Sequence, residues 1–522
     1  MVRARGAWVA AVLVVAAAAM VLSAFDAQRG RPVASERIGA PFPAAEPADG
    51  PARLAYAGPR RLRGPVTLRA RVRSAPARIV AVTFRLDGEP LGTDTTAPFT
   101  LDVDASLLER GRHRLQIEAV DRLGARAVLR PVQVWAGGRR SVVLTASPSR
   151  GLERALAALA RGHVTVLLRP GRYVVPHIEL GTGARLLGSG PRTVLAAASE
   201  GWSFVTVRGR GVRMSDLTVS GGGRAERGVA VASGSHDVRL QRLRISGVLQ
   251  TGVEVWGVHS EVSVQDSTIV GGGAPGAGIF ELGGDDSRDM SVVRTRISGF
   301  RGHGINFAQR AYDRPAAALH SLALDNRVSD IDDPADASGT HEGGIWSGGV
   351  GAAIIGNRVR GAGTDGIQTV GSSRRVTIVD NDIARTPVGI YLEHETSDSL
   401  VARNAIAEVA TGINVEWRYD GAGSSGNTFE RNRIVAPTAA GVFVDVAGDR
   451  NRIAGNLVVG GSGPAVVLQG ASGNLVAGNL ACARGGHPLV VQQSARHDDG
   501  RAAHSLRNRL VGNRDLETCG TR

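Results

Sequence analysis

From about residue 200 onward, short apolar runs alternate with polar turn residues at a regular spacing along the chain. Runs such as Val376–Ile378 and Ile390–Glu393 place apolar and polar side chains in alternation, which predicts short β-strands. Gly, Asn, Asp and Ser, the residues of tight turns, separate the runs. Because two or three such runs recur in every repeat and no repeat has a long stretch of helical spacing, the pattern predicts a solenoid of β-strands.

Each repeat also carries a common phrase: an Asn, a branched apolar residue two positions later, and then Gly-Ile or Gly-Val. Successive Asn residues lie 24, 23, 28, 24 and 23 residues apart. Strands of neighbouring coils stack about 4.8 Å apart, so equivalent positions form ladders. We expect each Asn to adopt the left-handed backbone of a tight turn and to hydrogen-bond through its amide to the Asn of the next coil. This structural role applies to Asn357, Asn381, Asn404, Asn432, Asn456 and Asn479.

Looser matches to the Gly-Ile position extend the stack back to Gly228, which gives a parallel β-helix of about a dozen coils. Residues 151–161 have the spacing of an amphipathic helix, and we expect this helix to cap the N-terminal end. The segments 164–173 and 183–195 resemble the opening coils of the pectate-lyase-like, right-handed parallel β-helix superfamily. The resemblance implies an all-β fold, with the β-helix at residues 148–522, but no particular chemistry.

The chain before the repeats divides into three segments. Residues 1–25 contain Arg3 and Arg5 before an apolar stretch, which predicts a signal peptide or signal anchor and an extracellular location for the rest of the chain. Residues 26–59 are rich in Pro and Ala and predict an extended linker. Residues 60–137 alternate strictly and predict a small β-sandwich that resembles bacterial immunoglobulin-like modules. Such modules are usually spacers or adhesive appendages.

Charge and cysteine content narrow the expected partners. The formal net charge is +14, and all 62 basic residues are Arg. These Arg residues are scattered among the repeats and not clustered beside aromatic residues, so nucleic-acid binding is not expected. We expect the partner to be an extracellular polysaccharide, and the positive charge favours an anionic one. In the alternative interpretation, the Arg residues are merely solvated surface charges. We expect the protein to be a monomer. Cys482 and Cys519 are expected to form one disulfide that fastens the C-terminal tail, and they lack the further ligands of a metal site.

The repeat also predicts which residues face outward. In each coil the Ile or Val after the Gly points into the core, so the next residue and the third residue point out. Polar and aromatic residues gather at these positions between Asn306 and Asp445, and interruptions of the repeat at residues 308–319, 329–342 and 418–426 fall beside the same coils. Since insertions on one face of a solenoid often wall a binding groove, we predict a polysaccharide groove there. Its predicted substrate-binding residues are His303, Asn306, Glu342, Trp346, Gln368, Tyr391, Trp417, Arg418 and Tyr419.

Four residues of this groove are candidates for catalysis: Asp365, Glu393, His394 and Glu416. Glu393 and Glu416 occupy the same position on adjacent coils, so their backbones should lie about 5 Å apart and the pKa of one should rise. That separation suits a retaining glycosidase, whereas Asp365 and Glu416, two coils apart, approach the separation in an inverting one. The same three carboxylates could instead hold Ca²⁺ in a lyase or epimerase, with His394 or Tyr391 moving the proton.

A structural interpretation competes with these catalytic ones. In it, Glu393 and Glu416 merely pair with His394 and Arg418 on a solvated sheet. The protein would then be a non-catalytic glycan-binding or adhesive surface protein, in which aromatic residues such as Trp346 matter and the carboxylates do not.

Motifs do not identify a catalytic subfamily. Gly284–Asp286 and Gly302–Gly304 are similar to the Asp-Asp and Gly-His-Gly signatures of polygalacturonases, but that family also needs an Arg-x-Lys motif and this chain has no Lys. Asp333–Ala335 lacks the His of the Asp-Pro-His motif of mannuronan epimerases. The sequence therefore predicts an exported carbohydrate-active β-helix protein that is a polysaccharide lyase, hydrolase or epimerase. It does not identify a cofactor, and Ca²⁺ is the one candidate considered.

Overall fold

The computed structural model describes residues 52–74, 77–137, 143–283, 287–307, 320–332, 343–393, 395–416, 423–482, 487–496 and 501–517. The predicted signal segment, residues 1–25, lies outside them. Among the described residues, no helix is both long and apolar enough to cross a membrane. Cys482 is buried, but Cys519 lies outside the described residues, so the disulfide remains a prediction.

The described chain begins with a sandwich of two β-sheets. Its strands are β1 (Arg53–Tyr56), β2 (Arg61–Leu62), β3 (Pro65–Ser74), β4 (Ile79–Leu86), β5 (Glu89–Asp94), β6 (Thr100–Asp104), β7 (Gly111–Asp121) and β8 (Arg126–Ala136). The sheet orders are β1-β3-β6 and β2-β8-β7-β4-β5. Phe84, Leu115 and Ile117 are fully buried between the sheets. The β4–β5 hairpin turns at Asp87 and Gly88, whose φ values of 53° and 91° are both positive, as the Asp-Gly pair predicts.

The helix α1 (Leu152–Arg161) follows strand β9 (Val143–Ala146) and covers the N-terminal end of the solenoid. It buries Ala155 and Leu159 against the first coils. The predicted capping helix is thereby confirmed, because an uncovered first coil would leave its apolar interior in water.

Beyond α1 the chain winds into a parallel β-helix whose coils contribute strands to three sheets. The first sheet has 13 strands paired in chain order. These are β12 (Ile178–Leu180), β15 (Gly201–Val207), β17 (Ala225–Val231), β19 (Thr251–Gly257), β22 (Ile279–Gly283), β25 (Ile305–Phe307), β28 (Gly343–Val350), β31 (Asp365–Arg374), β34 (Val388–Leu392), β37 (Thr411–Val415), β40 (Ala440–Val444), β43 (Val466–Gln469) and β46 (Val490–Gln493).

The other two sheets complete each coil, and the long strands β16 (Arg213–Ser220) and β18 (His236–Ser246) pair with strands of both. The second sheet contains β9, β10 (Thr165–Leu168), β13 (Arg185–Leu187), β16 (Arg213–Ser220), β18 (His236–Ser246), β20 (Ser260–Gln265), β23 (Ser291–Val293), β26 (Leu322–Leu324), β29 (Ala353–Ile355), β32 (Thr377–Val379), β35 (Leu400–Ala402), β38 (Thr428–Glu430), β41 (Arg452–Ala454), β44 (Leu475–Ala477) and β49 (Arg509–Val511). The third contains β11 (Gly171–Val175), β14 (Thr193–Ala197), β21 (Thr268–Ala274), β24 (Arg296–Phe300), β27 (Arg327–Ile331), β30 (Arg358–Ala362), β33 (Asp382–Ala384), β36 (Ala405–Ala407), β39 (Arg433–Val435), β42 (Leu457–Val459), β45 (Leu480–Cys482) and β50 (Arg514–Leu516). A short antiparallel pair, β47 (Ala495–Arg496) and β48 (Ala502–Ala503), lies near the C-terminus.

A ladder of Asn side chains runs along the turn between the second and third sheets. The Nδ2 of Asn404 donates to Oδ1 of Asn432 and to the carbonyl oxygen of Ile378, each at 2.9 Å. Its Oδ1 accepts from the backbone N–H and the side-chain amide of Asn381, at 3.0 and 2.9 Å. The predicted amide ladder is confirmed, but the predicted left-handed backbone of the Asn is wrong. The chain turns at the residue before it, such as Arg403 with φ of 55°, which leaves the Asn free to point its amide inward.

The Gly of the repeat is required by close packing between coils. A Cβ at Gly389 would lie 2.5 Å from the carbonyl oxygen of Gly412 and 2.5 Å from Cγ2 of Ile406. Gly412 has the same surroundings, with the carbonyl oxygen of Gly441 at 2.5 Å. Since a backbone carbonyl cannot swing away, only Gly fits this position.

The β-sandwich packs directly on the second sheet of the β-helix. Ala81 and Val120 of the sandwich are buried in one apolar cluster with outward-facing residues of the second sheet. Beside that cluster, the side-chain amide of Gln265 accepts from the backbone N–H of Thr93 at 2.9 Å and donates to its carbonyl oxygen at 2.7 Å. The cluster residues of the β-helix are Val293, Leu322, Leu324, Ala353, Ile355, Val379 and Ala402. The sandwich is therefore packed against the solenoid, unlike a spacer.

Candidate functional site

Outward-facing residues of the first sheet form the ladder that the repeat predicts. Asn306 pairs with Trp346, Trp346 with Gln368, and Gln368 with Tyr391, all in parallel register. Asn414 follows Tyr391 on the next coil. The predicted adjacency of these residues is confirmed, while their roles remain predictions.

These side chains point away from the solenoid core, yet they are not exposed. Asn306 and Gln368 have no exposed surface, and Trp346 and Tyr391 are 3% and 4% exposed. Glu393, with 0% exposure, is also buried. These five side chains are therefore enclosed, and Glu393 is not solvated as the structural interpretation supposes. Glu416 is partly exposed, and the pairing with His394 and Arg418 lies outside the described residues, so that part of the interpretation remains a prediction.

Two carboxylates stand side by side at the ends of adjacent strands. The backbone N–H groups of Glu393 and Glu416 donate to carbonyl oxygens of the preceding coils at 3.0 and 3.1 Å, which continues the ladder past β34 and β37. Gln368 Nε2 donates to Oε2 of Glu393 at 2.6 Å, and the Tyr391 hydroxyl donates to Oε2 of Glu416 at 2.5 Å. Because Gln368 and Tyr391 are register partners, both carboxylates lean back by one coil. The carboxylate pair, Glu393 and Glu416, therefore has backbones about one strand spacing, ~4.8 Å, apart.

A neighbouring column of the same sheet holds His303 and Asp365. The His303 ring lies against the Trp346 ring, with centroids 4.5 Å apart and an interplanar angle of 32°. The backbone N–H of Gly343 donates to Nδ1 of His303 at 3.2 Å. Gly343 is also the register partner of Asp365, which opens β31 and is 4% exposed. His303 and Asp365 thus flank the ladder of Trp346 and Gln368 on one side.

Several polar atoms of this enclosed surface lack hydrogen-bond partners among the described residues. They are Oδ1 and Nδ2 of Asn306, Oε1 of Gln368 and Oδ1 of Asn414. Each buried polar group left unsatisfied costs about 1–3 kcal/mol, so a native site holds such groups for water or a ligand. The sequence singled out Asn306 and Gln368 but not Asn414, although the register of the repeat places Asn414 in the same ladder.

Five predicted site residues lie outside the described part of the chain: Glu342, His394, Trp417, Arg418 and Tyr419. Their roles, and the raised pKa of one carboxylate, remain predictions. Across the described ranges, no three His, Cys, Asp or Glu side chains are close enough to hold a metal ion. The Ca²⁺ ligand set considered for Asp365, Glu393 and Glu416 is therefore not formed by these residues.

Comparison with known families agrees with this architecture. Residues 325–481 match the family model described as right handed beta helix region, and residues 58–117 match the model described as bacterial Ig domain. The chain is therefore an all-β protein that joins a bacterial immunoglobulin-like domain to a right-handed parallel β-helix. No curated protein matches the sequence.

The chain is also similar to solved structures of several different proteins. An exopolygalacturonase of family 28 from Yersinia enterocolitica is 9% identical, with TM-score 0.39, over 91% of this chain and 100% of its own. The A-module of a mannuronan C-5 epimerase from Azotobacter vinelandii is 16% identical, with TM-score 0.38, over 69% and 94%. An N-terminal fragment of gene product 12 from bacteriophage phi29 is 12% identical, with TM-score 0.47, over 70% and 68%. At these identities and TM-scores, none of them assigns an activity.

Proposed function

We propose that the first sheet carries the active site of an extracellular enzyme that cleaves a polysaccharide by hydrolysis. The observation behind this proposal is the carboxylate pair, which stands beside a row of buried amides with unpartnered polar atoms. A ligand must supply both donors and acceptors to satisfy Asn306, Gln368 and Asn414, because amide groups offer both. Sugar hydroxyl groups donate and accept, and they meet this requirement.

Aromatic side chains within the same ladder suit a sugar ring. Trp346 and Tyr391 alternate with the three amides along one column, so each ring lies between two polar groups. Aromatic faces pack well against the apolar faces of sugars, while neighbouring amides fix the orientation of the hydroxyl groups. Several coils in register then form several equivalent positions, which favours a polymer over a single sugar.

The separation of the carboxylate pair favours hydrolysis with retention of configuration. In that reaction one carboxylic acid protonates the oxygen of the leaving sugar while the other carboxylate attacks the anomeric carbon. Water then breaks the glycosyl ester, and the first residue takes the proton from that water. Retaining enzymes hold the two carboxyl groups about 5 Å apart, which is close to the spacing of one strand between the backbones of Glu393 and Glu416. Gln368 and Tyr391 serve as positioning residues, since each donates to one carboxylate of the pair.

Isosteric substitution of each carboxylate tests the proposal. With the full-length protein, E393Q and E416Q should each lower release of reducing ends from a cleaved polysaccharide by at least about a hundredfold. Retention of the polymer by the protein should be unchanged. A matched control is E408Q, because Glu408 lies on an adjacent turn, is exposed, and is outside the first sheet.

The products distinguish the competing reactions. Reducing ends without ultraviolet-absorbing products indicate hydrolysis, and proton NMR of the first product shows whether configuration is retained. Unsaturated products that absorb in the ultraviolet would show that the enzyme cleaves the polymer by elimination and not by hydrolysis. Polymer retention without any turnover, unaffected by E393Q and E416Q but lost in W346A, would establish the non-catalytic glycan-binding function instead.

A further inference from the structure

We infer that the polymer recognised by the first sheet is uncharged, and not the anionic class that the net charge of the chain suggests. This inference rests on the proposed function and assigns the substrate class of the same site. Its basis is a contrast between the whole chain and one of its surfaces. The chain has 62 basic and 48 acidic residues. The first sheet from β25 to β46 contains one Arg, Arg374, at the far end of β31.

Acidic residues occupy the same surface. Asp365 lies within β31, and Glu393, Glu416 and Asp445 directly follow β34, β37 and β40. The acidic side chains of the described surface thus outnumber its single Arg, and ion pairs with other residues do not change this count.

The segments that connect these strands do not reverse this balance. Residues 308–319, 333–342 and 417–422 together contain three Arg and five Asp or Glu. Even if every Arg of these segments faced the site, the acidic residues would still be in excess. The positive net charge of the chain therefore resides elsewhere.

Burial of the acidic side chains strengthens their discrimination against anionic sugars. Charges interact more strongly away from water, because protein screens them less than solvent does. Asp365 and Glu393 are 4% and 0% exposed, so a uronate carboxylate placed over this sheet would be repelled at short range. The amides of Asn306 and Gln368 carry no net charge and recognise hydroxyl groups equally well on a neutral sugar.

The N-terminal coils extend the same pattern. Trp202 is 45% exposed and forms an edge-to-face pair with Trp256, with ring centroids 6.3 Å apart. Arg227 lies 4.6 Å from the Trp202 ring, but its guanidinium also pairs with Glu254 at 2.7 Å. This end of the sheet thus adds aromatic surface, and its Arg is already balanced by a carboxylate.

A matched pair of polymers tests the inference. Polygalacturonate and its fully methyl-esterified form share one backbone and differ in charge, and they would be compared alongside uncharged glucans, xylans and galactans. Full-length protein would be assayed for retention of each polymer and for release of reducing ends, with and without Ca²⁺. We expect retention and cleavage of at least one uncharged polymer, and retention of the polyuronate at least about tenfold weaker than that of its ester.

Ionic strength gives an independent readout. Added salt should leave binding of the uncharged polymer unchanged and should strengthen the residual binding of the polyuronate, because it screens repulsion. Preferred binding or cleavage of the polyuronate, with or without Ca²⁺, would overturn the inference but leave the proposed function standing. If no polymer in the panel is retained or cleaved, the proposed function fails, and the inference fails with it.

Discussion

Removing one amide from the Asn ladder should destabilise the β-helix far more than removing the amide at its end. Asn404 makes four hydrogen bonds through its side chain, to Asn381, Asn432 and the carbonyl of Ile378, all at 2.9–3.0 Å. N404A would remove all four bonds and leave the buried backbone N–H of Asn381 without its acceptor, although Asn432 Oδ1 would keep its bond from the backbone N–H of residue 404. Each buried hydrogen bond contributes about 1 kcal/mol net, so we expect the free energy of unfolding to fall by ~4 kcal/mol.

The end of the ladder provides a matched control. Asn513 donates to the carbonyl of Val476 at 2.8 Å and accepts two hydrogen bonds from Asn479, at 3.0 and 2.9 Å. It is partly exposed, so water can replace the lost amide in N513A. We therefore expect N513A to cost less than about 1 kcal/mol.

Urea unfolding followed by circular dichroism would measure both variants against the unsubstituted protein. In a solenoid each coil contacts only its neighbours, so loss at a middle coil uncouples the two halves and should also broaden the transition of N404A. Equal effects of N404A and N513A, or a loss below about 1 kcal/mol for N404A, would refute the contribution assigned to the ladder.

Three further outcomes follow from close packing and from titratable groups. Replacing Gly389 with Ala should lower the melting temperature sharply, because the new Cβ would lie 2.5 Å from a backbone oxygen, whereas Gly201→Ala, where the nearest atom is 3.9 Å away, should not. Burial raises the pKa of Asp94 from 3.8 to about 6, so its contribution to stability is lost as pH rises from 3.8 through about 6; melting temperatures of D94N should lack that decline. Burial of the His259 ring opposes its protonation, but the hydrogen bond and charge of Glu281 raise its pKa above 6.5. Its stabilising effect is therefore complete below pH 6.5 and lost as pH rises through the raised value, and melting temperatures of the H259Q/E281Q double variant should not show this change.

The periodic part of the molecule is readable from the sequence because stacking converts spacing into contact. Once the Gly-Ile position is recognised, residues 20 to 30 positions apart must lie on adjacent coils, and the register of Gln368 with Tyr391 confirms it. The hydrogen bond from Gln368 to Glu393 was not predicted, because it joins two different columns and depends on side-chain length and direction. The Asn backbone was predicted wrongly for a similar reason: Asn tolerates a left-handed turn, but here the preceding residue makes it.

The packing of the immunoglobulin-like domain against the β-helix corresponds to a change of residue type along the second sheet, which the repeat period alone does not explain. Along one outward column of the second sheet, the residues change from Gln241 and Gln265 to Val293, Leu324 and Ile355. The two Gln side chains hydrogen-bond to backbone atoms of the sandwich, and the apolar residues pack against it. Strands that are apolar on both faces are buried on both faces.

That pattern ends where the contact ends. After Val379 and Ala402, the next residue of the same column is Glu430, which is not among the buried cluster. The outward residues of a solenoid sheet therefore indicate which coils are covered by another domain. On the first sheet, the outward residues form a ladder of amide, aromatic and carboxylate side chains, most of which are buried. Apolar burial there would indicate a second packed domain, whereas buried amides with unpartnered atoms are what the site proposed here for a polar ligand requires.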